Sequence, residues 1–251
     1  LHPWPPAVDM GPVNPPRDRV RGAQRPWAGS GAARGWIEPG WPDAPGELRG
    51  DPGTALEHLS RLVPDRWLRR LPMRATFPWH PAGSVRAAVV KRFLGDSARE
   101  RWYERWHAGG VHGPARREAE SLLRLAAAGF PAPRPLAWFE GAGASALVME
   151  QLEHRETLRE LLLRAPPAET RARLAELARL VARLHAAGFY HRDLYLEHVV
   201  VTGERPQDLA LLDAGRARLE RAPRERWFVK DLAALLHSAP EALRARARLR
   251  F

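Results

Sequence analysis

His191-Arg192-Asp193-Leu194-Tyr195-Leu196-Glu197-His198 (HRDLYLEH) decides how the rest of this 251-residue chain is read. Before it, the pattern predicts a long amphipathic helix from Glu169 to Ala187. Leu174, Leu177, Ala178, Val181, Leu184 and His185 would share one face, and Gly188 would close the helix. After it, two short strands are expected, His198 to Val201 and Leu209 to Leu212, joined by the polar turn TGERPQD. Asp193 therefore sits on a loop held between a packed helix and a hairpin. Twenty residues later the second strand runs out into Asp213-Ala214-Gly215, a second carboxylate at a strand end beside a glycine.

Alone, Asp213-Ala214-Gly215 reads as a turn. Paired with Asp193 at this spacing it reads as phosphoryl-transfer chemistry. In H-R-D-x-x-x-x-N loops the aspartate accepts the proton of the attacking hydroxyl, and a strand-end D-x-G holds the metal that bridges ATP phosphates. The eighth position here is His198, where an asparagine would hold a second metal. An imidazole suits softer ions better than magnesium. His198 is thus expected either to ligate a metal weakly or to orient Asp213.

Lys91 lies inside the predicted strand Val85 to Phe93 (VRAAVVKRF), where an ammonium group without a partner would be costly. Kinases pair such a lysine with the ATP phosphates and with a glutamate on the next helix. Ala115 to Ala128 is the expected helix, stopped by Gly129, and it offers Glu118 and Glu120. Glu118 is preferred because it lies four residues before Leu122 and so shares its face.

With the strand Ala144 to Leu152 and the helix Trp227 to Ser238, the order is strand, helix, strand, long helix, loop, hairpin, helix. It predicts an α+β, two-lobed, protein-kinase-like fold. A small sheet-based N-lobe (about 54–149) would pack on a mainly helical C-lobe (about 150–251), with nucleotide between them. Residues 1–53 hold eleven of the 24 prolines, nine of the 20 glycines and four of the ten tryptophans, without any sustained period. They read as an arm with little structure of its own. The chain stops in mid-pattern at Phe251, so a truncated C-lobe is expected.

A formal net charge of +11, nearly all arginine, suits an anionic partner or reflects a genome that favours arginine codons. A nucleic-acid role would rest on that charge alone and is not expected. Without cysteine the chain has no disulfide framework and no thiolate metal site, which fits a reducing compartment. No apolar run of spanning length and no export leader is visible.

GPARREAESLLRLAAAGFPAPRPLAW, FYHRDLYLEHVVV, LALLDAGRARL and KDLAALLHS resemble the bacterial lipopolysaccharide core kinases of the Kdo/WaaP family, over roughly residues 74–251. The resemblance implies a cytoplasmic enzyme, peripheral on the inner face of the cytoplasmic membrane. It would place the γ-phosphate of ATP on a Kdo or heptose hydroxyl of an anionic glycolipid, lipid A–core, with Mg2+ or Mn2+. It further implies that Lys91 contacts the phosphates, Glu118 orients Lys91, Asp193 is the general base and Asp213 holds the metal. His191, Arg192 and Asp231 would support the loop, Asp231 by accepting backbone hydrogen bonds. Met149, Glu150, Gln151 and Leu152 would receive the adenine.

Three features depart from the kinase pattern. The lysine that many kinases place two residues after the aspartate is replaced by Tyr195, so an arginine from elsewhere would neutralise the phosphoryl group or the substrate would be held differently. No G-x-G-x-x-G precedes Lys91, and Pro81-Ala82-Gly83-Ser84 reads either as a plain strand turn or, less readily, as a turn that approaches phosphate. The insert RFLGDSARERWYERWHAGGVHG could stack Trp102, Tyr103 and Trp106 on sugar rings or pack them on the N-lobe. The same core chemistry would serve a small-molecule or protein kinase. His198, Tyr195 and the missing glycine loop also suit a nucleotide-binding pseudokinase scaffold.

Overall fold

The computed structural model describes residues 33–94, 113–141, 143–220, 224–241 and 243. Most of the aromatic insert, with Trp102, Tyr103 and Trp106, lies outside the described residues.

The N-terminal part is a six-stranded antiparallel sheet. Its strands are β1 (Arg34–Ile37), β2 (Arg69–Leu71), β3 (Arg74–Trp79), β4 (Ala88–Leu94), β5 (Pro135–Gly141) and β6 (Ala144–Glu150), in the spatial order β1-β5-β6-β4-β3-β2. Both faces are covered, which is why β6 reads as a mostly apolar run rather than an alternating one. Helices α1 (Gly46–Arg49) and α2 (Pro52–Arg61) cover one face, burying Leu48, Leu56 and Leu59 with Phe77, Val90, Leu136 and Val148. Helix α3 (Pro114–Ala127) covers the other, where Ala115, Ala119, Leu122 and Leu125 meet Phe93, Trp138, Leu147 and Met149.

Residues 34–53 are not the unstructured arm that their composition suggests. Strand β1 pairs with β5 from Arg34↔Glu140 to Ile37↔Ala137, and Trp36 and Trp41 are buried. Asp51 caps α2 by accepting from the Thr54 amide at 3.0 Å. A four-residue strand and a four-residue helix are too short to show a period, so their prolines and glycines dominated the reading.

Of the two readings of the Pro81–Ser84 turn, the plain strand turn fits the structure, because the turn is tied to this N-terminal segment. Ser84 donates to the Asp43 carboxylate at 2.8 Å, and the Val85 amide donates to the same oxygen at 2.8 Å.

The helical part follows through β7 (Glu156–Thr157), α4 (Leu158–Arg164) and α5 (Pro167–Ala186). A capping box between Thr157 and Glu160 starts α4. Along α5 the buried apolar residues are Leu177, Leu180, Val181 and Leu184, whereas Ala178, expected on that face, is exposed. Leu180 stands three residues after Leu177 and four before Leu184, and its larger side chain sets the packed stripe. Arg173 is buried at the start of this helix and donates to the carbonyls of Gly203 and Glu204.

Beyond Gly188 come β8 (Phe189–Tyr190), a 3-10 turn (Leu196–His198), β9 (Val199–Val201), β10 (Leu209–Leu211), a second 3-10 turn (Ala214–Arg216), β11 (Arg218–Leu219) and α6 (Glu225–Ser238). Gly188 has φ 80°, and a side chain there would collide with the Glu220 carbonyl. That close approach lets β8 pair with β11, which bounds the loop between them.

Candidate active site

Lys91 joins three elements that are distant in sequence. On β4 it lies opposite Thr76 of β3 and Leu147 of β6, with its side chain on the α3 face. Its ammonium donates to Glu118 Oε1 at 2.5 Å and to Asp213 Oδ1 at 3.0 Å. Glu120, the competing acid, pairs with Arg116 at 2.9 Å instead. Glu118 is 2% exposed, and a Cβ at Gly215 would stand 3.3 Å from its carboxylate, so the glycine two residues after Asp213 permits that close approach.

The electrostatics follow from one cation held between two carboxylates. Burial opposes the charge on Lys91, but Glu118 and Asp213 outweigh it and raise the lysine above its usual range. Burial would likewise raise Asp213, yet Lys91 and the neighbouring histidines hold it down at about 2. Burial pushes Glu118 up, against the pull of Lys91.

Asp231 holds the loop from below. Its fully buried carboxylate accepts from the amides of His191 at 2.7 Å and Arg192 at 2.6 Å, and lies 3.2 Å from His185 Nε2. These bonds fix Arg192 at φ 70°, a left-handed conformation uncommon outside glycine. The Arg192 guanidinium packs over the Trp227 ring at 4.8 Å. Farther along, Ser238 at the end of α6 accepts from the Leu196 amide at 2.9 Å. His191 donates through Nε2 to the Leu212 carbonyl at 3.0 Å, and burial lowers its basicity, favouring the neutral ring.

His198 and Asp193 stand on the open side of this frame. The Nδ1–H of His198 donates to the Asp193 carbonyl at 2.8 Å, and its Nε2 stands 3.7 Å from Asp213 Oδ2. The Asp193 carboxylate accepts from Arg216 Nη1 at 2.9 Å, and the Arg216 side chain is 54% exposed. Sequence reasoning asked for an arginine from elsewhere but did not find Arg216. It stands three residues after Asp213, and the 3-10 turn carries it back towards Asp193. Ser238 was also missed, although it closes the KDLAALLHS run.

A cavity of about 730 Å³ opens beside these groups, within the range of nucleotide-sized sites. Val89, Leu122 and Met149 give it apolar walls, Gln151 and Leu152 one end, and Lys91, Asp213 and His198 the other. The amides of Glu150 and Gln151 are already engaged by the carbonyls of Arg134 and Ala87, at 2.8 and 2.9 Å. Among the described residues no group of three or more metal-ligating side chains converges. Asp213 and His198 nevertheless suit an ion that arrives with phosphate, since magnesium needs only one or two carboxylates and completes its shell with phosphate oxygens and water.

A model of the lipopolysaccharide kinase (Kdo/WaaP) family matches residues 69–248. A lipopolysaccharide core heptose(I) kinase WaaP of Pseudomonas aeruginosa is 33% identical over 153 residues, covering 55% of this chain and 57% of that protein. A 3-deoxy-D-manno-octulosonic acid kinase of Stenotrophomonas maltophilia is 36% identical over 111 residues, 43% of each chain. One of Xanthomonas campestris pv. campestris is 37% identical over 112 residues, again 43% of each. The chain thus spans about half the length of the curated relatives it matches.

Proposed function

The chain belongs to the lipopolysaccharide kinase (Kdo/WaaP) family, and from that membership and the cleft geometry we propose that it transfers the γ-phosphoryl group of ATP to a sugar hydroxyl of the lipopolysaccharide inner core. The observation that carries the reading is the convergence of Lys91, Glu118 and Asp213, with Asp193 on the adjoining loop. The sheet with α3 serves as one lobe and the helical part as the other, with the nucleotide between them. Cytoplasmic ATP would place the reaction at the inner face of the cytoplasmic membrane. No helix among the described residues is long and apolar enough to cross that membrane.

In this mechanism Glu118 holds Lys91 in place to position the phosphates, and Met149 to Leu152 hold the base. Asp213 would hold a divalent ion, which would supply neutralisation of phosphate charge. Asp193 takes up or orients the proton of the acceptor hydroxyl. Arg216, already on Asp193, steers that carboxylate and presents its exposed edge to the anionic acceptor, the task a lysine two residues after the aspartate performs in other kinases. Positioning and electrostatics carry most of the rate, because phosphoryl transfer needs little covalent help.

Incubation with ATP and dephosphorylated lipid A–core, followed by mass spectrometry of the glycolipid, should show one added phosphoryl group. If peptides or aminoglycosides are phosphorylated and the core is not, the acceptor assignment is wrong. Within the same reading, His198 is a metal ligand through Nε2. His198→Asn should then shift preference from Mn2+ towards Mg2+ by about tenfold in relative kcat/KM, since an amide oxygen suits the harder ion. Unchanged metal preference in that variant would leave His198 only the role of bonding the Asp193 carbonyl.

A further inference from the structure

We propose that the β2–β3 hairpin is a cationic roof that grips the polyphosphate of the bound nucleotide through the side chains of Arg69 and Arg74. The inference rests on the nucleotide reading of the cleft and adds the group that covers the phosphates.

Strand register places the arginines. Arg69 lies opposite Thr76, and Thr76 lies opposite Lys91, so the three form one row across the sheet. Arg74 lies opposite Phe93, two residues along from that row. Because side chains alternate along a strand, Arg69, Arg74, Thr76 and Lys91 all project from the cleft face. With a strand spacing of roughly 4.8 Å, Arg69 starts about 10 Å from Lys91, an interval two long side chains can span. Both arginines line the cavity that holds Lys91 and Asp213, and both are exposed.

Charge supplies the reason. Lys91 is shared between two carboxylates, so this trio alone does not offset the several negative charges of a nucleoside triphosphate. The hairpin places further guanidinium groups in the same cavity, and guanidinium is suited to bidentate hold on phosphate. Backbone cover of the usual kind is not built here. No glycine occurs from Arg66 to Thr76, so a side chain at every position limits how closely the chain can approach a phosphate. Pro72 at the tip has no N–H to offer. The tip is also tethered, because the Leu94 amide donates to the Met73 carbonyl at 2.9 Å. Arg74 is steadied over the Phe93 ring at 5.7 Å.

Arg70 gives an internal control. It is adjacent to Arg69 but points to the opposite face, where it packs over Trp67 at 5.0 Å.

Equilibrium binding of ATP and adenosine to the full chain, without acceptor, tests the roof. Arg69→Ala should weaken ATP about tenfold and the Arg69→Ala/Arg74→Ala double variant more, roughly the scale of one and two charge-assisted contacts. Adenosine affinity should stay unchanged in both, as should ATP affinity in Arg70→Ala. ATP binding by Arg69→Ala at wild-type strength overturns the proposal, including the case in which only the acceptor KM rises. Equal loss of ATP and adenosine overturns it too, because the defect would then not lie at the phosphates. If the wild-type chain binds no ATP, the nucleotide reading itself fails, an outcome distinct from a roof that does nothing.

Discussion

Asp193→Asn is expected to lower turnover by about 10²- to 10⁴-fold, the contribution of a positioned general base, with ATP affinity unchanged. The substitution keeps the shape of the side chain, and an amide oxygen still accepts the hydrogen bond that Arg216 gives Asp193 at 2.9 Å. The loop backbone is held independently by Asp231, so the change removes charge and basicity without dislodging the frame. Asp193 is also absent from the cavity lining, which separates its task from nucleotide binding. Single-turnover phosphate transfer and ATP titration on the same preparation check both halves. Transfer at the wild-type rate would remove Asp193 from the chemistry.

Asp231→Ala is expected to be the most destabilising single change in the loop region. Its carboxylate is fully buried and accepts two backbone amides, at 2.7 and 2.6 Å, which the alanine variant would leave without partners. Each orphaned buried donor costs about 1–3 kcal/mol, so about 2–6 kcal/mol is at stake. That is a large part of a total of about 5–15 kcal/mol for a folded domain. At roughly 2–4 °C per kcal/mol for a domain of this size, the melting temperature should fall by about 5–20 °C. The same loss frees Arg192 to leave its left-handed conformation, so activity should fall further than the folded fraction does. Thermal denaturation followed by circular dichroism checks the first effect, and a melting temperature within about 2 °C of wild type would contradict it.

How much of this was legible depends on whether a residue announces itself locally. Lys91 was visible because an ammonium group inside an apolar strand demands a partner. Glu118 was visible because its spacing from Leu122 fixes its face, and Lys91 meets it at 2.5 Å. Helix α3 was expected over Ala115–Ala128 and runs over Pro114–Ala127, since a 14-residue amphipathic period is hard to mistake. Arg216 was illegible for the opposite reason. In a chain with 40 basic residues one more arginine carries no signal, and only the tight turn after Asp213 reveals its direction. The hairpin arginines were hidden in the same way, because β2 is three residues long and too short to show alternation. Residues 34–53 were misread because their order comes from tertiary contacts of Trp36, Trp41 and Leu48 rather than from local propensity.

Those contacts have a practical consequence, because the recognisable family region and the cooperative folding unit do not begin at the same residue. The family match starts at Arg69, yet β1 closes the β5 edge of the sheet, and Trp41 and Leu48 sit in the core beneath it. A recombinant version trimmed to the family match would unmask a row of unpaired strand groups together with the apolar surface around Phe139 and Val148. Such an edge is a template for intermolecular pairing. The N-terminal segment covers that edge and that apolar surface, so expression work on this family member should keep it attached.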